Sequence, residues 1–166
     1  ALIRQQLGRT LHGSASGNFT VVLPQGSTSA SLAAYVMVEN GRVGLKQPIL
    51  SHSELPFSLA TATLHGRGEV LQVEQGTVES ELLDSHFSGT IRLHHNLMLS
   101  EISIQGDLQP KNKLFKGVSN TLAFEAFRLQ LKDNTLPFKI SGSLVDPGIH
   151  YEEYAILFQK LEKELH

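Results

Sequence analysis

A polar–Gly–polar–apolar step recurs along this chain, each time with apolar residues spaced two apart around it. Phe87, Gly89, Ile91 and Leu93 alternate with Ser88, Thr90 and Arg92. Ile102, Ile104, Gly106 and Leu108 alternate with Ser103, Gln105 and Asp107, and Phe138, Ile140, Gly142 and Leu144 with Lys139, Ser141 and Ser143. A period of two sends successive side chains to opposite faces of an extended strand, so each segment reads as a strand with one apolar and one wet face. The shared core is Ser88-Gly89-Thr90-Ile91, Gln105-Gly106-Asp107-Leu108 and Ser141-Gly142-Ser143-Leu144, with a fourth copy at Ser16-Gly17-Asn18-Phe19. The four glycines are separated by 72, 17 and 36 positions. Those gaps are near multiples of roughly eighteen, about one hairpin with its turns, as in a sheet extended by repetition.

A glycine inside a strand adds no packing and marks a bulge, a bend or a close approach of another backbone. Recurring on one face, such glycines line a trough for an elongated apolar guest, let a twisted sheet curl, or admit a covering helix. Turn signals divide the strands. Asn40-Gly41 stands between Leu32–Glu39 and Arg42–Leu45, Gln75-Gly76 between Glu69–Glu74 and Thr77–Leu82, and Asp133-Asn134 between Phe127–Lys132 and Thr135–Leu144. Read as hairpin turns, they give a curved antiparallel meander with repeated Gly-centred strands.

Three segments depart from that period, of which Gln25–Ser31 is small and polar and reads as a loop. Pro110-Lys111-Asn112 followed by Lys113–Val118 predicts a short helical turn. After Pro147-Gly148, Tyr151–Leu165 predicts an amphipathic helix, with Tyr151, Tyr154, Phe158, Leu161 and Leu165 at three- and four-residue steps. Its stripe either covers this domain's own sheet or docks a partner.

At 166 residues with 40% apolar, 18% charged and 7% aromatic content, the chain suits one folded domain, 1–166, with few large side chains for a thick core. A sheet covered on one side, or one with a shallow groove, fits better than a compact sandwich. The net charge of −2 and the scattered basic residues leave no footprint for a nucleic acid. No cysteine is present, which removes disulfides, thiolate nucleophiles and Cys-based zinc sites. The chain opens at Ala1, which suits either a processed Met or a chain cut short of an N-terminal signal or anchor.

Chemistry is sparsely signposted, and the expectation is a protein that is not an enzyme and holds no cofactor or metal. His94 and His95 are adjacent, so as strand residues they would face opposite ways, and His12, His52, His65, His86, His150 and His166 lie in unrelated contexts. Gly66-Arg67-Gly68 lacks the Lys and Ser/Thr of a phosphate loop and precedes a strand rather than a helix. No Gly-x-Ser-x-Gly elbow occurs, and Glu79, Glu81 and Asp84 fall on a solvated face and edge.

From Leu55 to Leu144 the chain resembles the periplasmic part of the type II secretion system family GspN (general secretion pathway protein N). The matching features are Leu55-Pro56-Phe57, the Leu71–Thr77 hairpin, Ser88-Gly89-Thr90-Ile91-Arg92-Leu93, and Leu97–Leu108 running into Gln109-Pro110. Leu136-Pro137-Phe138-Lys139-Ile140-Ser141-Gly142-Ser143-Leu144 and a following Pro147 complete them. The order of these motifs carries the resemblance, since each alone is common. It implies a periplasmic β-rich domain, an N-terminal anchor in the inner membrane, and a place in the machine that exports folded proteins. The chain is also loosely similar to AsmA-like proteins, whose repeated β modules form an open groove linked to lipid transport. Neither family supplies a catalytic motif.

Three functions follow as expectations. The first is a periplasmic accessory of the secretion apparatus, working through contacts with other secretion proteins at its sheet edges and at Tyr154, Phe158, Leu161 and Leu165. The second is a groove for lipid acyl chains, built on the face of Phe87, Gly89, Ile91, Leu93, Ile102, Ile104, Gly106, Leu108, Phe138, Ile140, Gly142 and Leu144. The third is a hydrolase of envelope polysaccharide, which requires a cleft with paired carboxylates.

Overall fold

The computed structural model describes residues 11–23, 30–49, 52–116, 122–131 and 133–151. They form one eight-stranded sheet in the order β1-β2-β3-β4-β5-β6-β7-β8. The strands are β1 (Leu11–Val22), β2 (Ser31–Ile49), β3 (His52–Arg67), β4 (Val70–Glu79), β5 (Leu83–Arg92), β6 (Glu101–Pro110), β7 (Leu136–Ser143) and β8 (Pro147–His150). Every neighbouring pair is antiparallel, as a meander requires, and the sheet does not close into a barrel: β1 and β8 remain its edges.

Two of the expected hairpin turns are instead bulges inside long strands. Between His12 and Ser14 of β1, the paired β2 residues run from Arg42 to Glu39, one more than regular pairing allows. Asn40 takes φ 49° there, and Gly41 is not among the residues with positive φ. A type I′ hairpin needs positive φ at both central residues, whereas a single left-handed residue kinks the strand and lets it continue. Gln75-Gly76 behaves likewise: β4 runs through it, and one extra residue lies between Val73 and Gly76 opposite Gly89 and Phe87. The chain actually reverses at Gly68 (φ 62°), between β3 and β4.

The third expected turn does use two left-handed residues, Asp133 (φ 53°) and Asn134 (φ 57°), but it joins a helix to β7. Phe127–Lys132 is the segment expected as a strand ahead of the Asp133-Asn134 turn. Through Gln130 it belongs instead to helix α1 (Leu122–Gln130), because Phe124, Phe127 and Leu131 also fall at three- and four-residue steps and find a core. Ahead of α1, the expected helical turn is a 3-10 turn at Asn112–Phe115.

This long β6–β7 connection builds most of the deep core. Leu82, Leu114, Phe115, Phe124, Phe127 and Leu136 form one buried cluster, with Leu55, Leu108, Leu131 and Tyr151 packed against it. Phe115 meets Phe124 and Phe127 with ring centroids 4.9 and 5.5 Å apart, tilted as aromatic quadrupoles favour. Lys111 pins the connection to the β4–β5 turn: its Nζ donates to Asp84 Oδ1 (2.7 Å) and to the Ser80 carbonyl (2.6 Å). Beside it Lys113 pairs with Glu81 and holds that carboxyl below its usual range. Apart from Tyr151, the expected C-terminal helix with Tyr154, Phe158, Leu161 and Leu165 lies outside the described residues, as do residues 1–10.

Candidate functional site

Register carries the strand alternation across the whole sheet. Cross-strand partners share a face, so chains of partners define rows. One row runs Phe19–Ala34–Leu64–Val73–Gly89–Ile104–Ile140–Ile149, and the next Val21–Leu32–Gly66–Leu71–Ile91–Ile102–Gly142–Pro147. On the other side of the first lies Gly17–Val36–Ala62–Gly76–Phe87–Gly106–Phe138, and beyond that Ala15–Val38–Ala60–Val78–Ser85–Leu108–Leu136. Within these four rows Ser85 alone is polar, and it is buried. At about 4.8 Å between strands and about 6.8 Å between rows, they span roughly 700 Å² of sheet, within which Val73, Ser85, Leu136 and Phe138 are already buried.

Of the residues expected on this face, Phe87, Gly89, Ile91, Ile102, Ile104, Gly106, Leu108, Phe138, Ile140 and Gly142 lie in these rows. Leu93 and Leu144 follow the ends of β5 and β7. Leu93 donates its N–H to the Glu69 carbonyl (2.6 Å) and Leu144 to that of Ser100 (3.0 Å). Gly89, Gly106 and Gly142 fall in three different rows: Gly89 pairs with Ile104, Gly106 with Phe87 and Phe138, and Gly142 with Ile102. At Gly89 (φ 153°) a Cβ would stand 2.1 Å from the Ser103 carbonyl oxygen, so this residue permits a close approach of β5 and β6.

Cover over the face is uneven. At the Leu108–Leu136 end the β6–β7 connection lies over it. Ile91, Ile102, Ile104 and Ile140 are half-buried, and toward β1 exposure rises to 76% at Phe19 and 52% at Val21. The β1–β4 and β8 portion of the face was not anticipated. Its signal was present in Leu32, Ala34, Val36 and Val38, but reading Asn40-Gly41 as a turn hid the continuity of β2.

The opposite face is polar, with rows such as Thr90–Ser103–Ser141 and Ser88–Gln105–Lys139–His150. Shallow hollows of about 470 and 460 Å³ share Gln105 and Lys139, and a third of about 290 Å³ shares His86 with the larger. Glu79 and Asp84 are cross-strand partners beside the smallest, where Asp84 accepts hydrogen bonds from Lys111 and from the Ser80 N–H (3.3 Å). His65 lies 3.3 Å from Glu74. His94 and His95 follow β5 rather than lying in it, with rings 3.9 Å apart, and His94 Nδ1 accepts the Asn96 N–H. Among the described residues no group of three His, Asp or Glu is arranged to hold a metal ion, and no helix is long and apolar enough to cross a membrane.

No family model, no curated protein and no solved structure matches the chain.

Proposed function

We propose that the chain is a non-catalytic module of the cell envelope whose apolar sheet face binds lipid acyl chains. The observation that carries this reading is the row from Phe19 to Ile149, which crosses all eight strands without a polar residue. An acyl chain requires a long, non-directional apolar surface and no hydrogen-bonding partners along its length, and the exposed and half-buried part of these rows, away from the covered Leu108–Leu136 end, offers that. In this reading the Gly-centred strands let the sheet curl about its guest, in the manner of the AsmA-like proteins that the sequence loosely resembles. The module works in the periplasm, tethered to the inner membrane. Native mass spectrometry of the protein purified from cells tests it. Adducts of phospholipid or fatty-acid mass are expected, and fewer of them on Ile104→Asn/Ile140→Asn. A bare protein mass that takes up no labelled fatty acid would overturn the reading.

A second reading, a periplasmic accessory of the type II secretion pathway acting through protein contacts, draws on the order of the motifs from Leu55 to Leu144 and on the open strand edges. Pull-down with inner-membrane secretion components tests it, and no enrichment over a surface-altered control would count against it.

A further inference from the structure

The two edges of the sheet are unlike. β8 has four residues and begins with Pro147, which has no N–H to offer; short, proline-bearing edges deter added strands. β1 has neither protection. It runs for 12 residues without proline, Lys, Arg, Asp or Glu. From His12 to Val22 every residue is exposed, and along its outer side no strand among the described residues pairs with it.

We propose that β1 pairs antiparallel with β1 of a second copy of this chain, about a two-fold axis at Asn18. An isologous contact must be self-complementary, and an uncharged strand meets no like charge when it pairs with itself. The register follows from the sheet's own habit. Phe stands opposite Gly at Gly41–Phe57, Gly76–Phe87, Phe87–Gly106 and Gly106–Phe138. At Gly41 and Gly76 the ring occupies the space of the missing side chain. Centring on Asn18 puts Phe19 opposite the partner's Gly17, Val21 opposite the partner's Ala15 and Ser16 opposite the partner's Thr20. Centring on Gly17 instead sets two glycines face to face and leaves Phe19 against the partner's Ala15. The Asn18 register matches face to face, so the two apolar surfaces become one. The pairing rests on the edge and its composition, and it stands whether or not lipid is the guest.

The chain has no cysteine, so a single introduced thiol reports the register directly. Light scattering of the full chain should give a dimer mass, and under mild oxidation Asn18→Cys should cross-link, because directly opposed Cβ atoms come within about 4.5–5.5 Å. Ser14→Cys should not, since its symmetry mate is over ~20 Å away along the strand. Asn18→Lys sets like charges on the axis and should weaken the dimer about fivefold, and mixing it with Asn18→Glu should restore association. Circular dichroism confirms that each variant is folded. A monomer mass at every concentration, or Ser14→Cys cross-linking as fast as Asn18→Cys, would overturn the proposal.

Discussion

A methyl group on Gly106 would stand 2.1 Å from the His86 carbonyl oxygen and 2.8 Å from Phe87 Cα on the adjoining strand. Both obstacles are backbone, so relief requires β5 and β6 to move apart. Gly106→Ala is expected to cost roughly 1–3 kcal/mol, the range of overpacked interiors. At Gly76 the obstacle is the far edge of the Phe87 ring (2.1 Å to Cε2), which can turn away, so Gly76→Ala should cost less. Urea unfolding midpoints of the two variants decide the order, and equal losses would contradict this account of the strand glycines.

The helix in the β6–β7 connection divides its leucines and phenylalanines unequally. Phe127 is 0% exposed while Leu129, two residues on, is 86% exposed. Phe127→Ala should therefore cost about 3–5 kcal/mol, and Leu129→Ala less than about 0.5. Similar losses at both positions, measured by thermal or chemical unfolding, would place the deep core elsewhere.

Burial pushes the Tyr151 hydroxyl up to about 12 from an ordinary value of 10.0. The fold keeps this proton where the unfolded chain releases it. Its contribution is thus fully present below pH 10, declines as pH rises from about 10 to about 12, and is lost above that. Tyr151→Phe should flatten the stability profile in that window, read by unfolding at stepped pH. A profile unchanged by the substitution would mean that Tyr151 is not buried against the core.

Much of the fold was legible because β5, β6 and β7 keep strict alternation: Phe87, Gly106 and Phe138 fall in one row, as do Gly89, Ile104 and Ile140. The rest was obscured by residues that satisfy two patterns. Asn40 supplies one left-handed residue, which serves a bulge as well as a turn, and pairing with both neighbours decides between them. Phe127-Arg128-Leu129-Gln130 alternates like a strand, and the exposed Leu129 disguises a helix whose buried side is Phe124 and Phe127. For the candidate site, the residues on β5–β7 could be read from sequence, but the breadth of the face could not. Joining Phe19 to Ile149 requires the register of every intervening pair.

The central claim is that this broad apolar face holds acyl chains, and contact mapped face by face tests it most directly. A photo-crosslinking side chain placed at Phe19, Ile104 or Ile140, in protein kept in cells, should capture glycerophospholipid, while the same group at Ser103 or Ser141 on the polar face should not. Lipid captured equally from both faces, or from neither, would contradict the account.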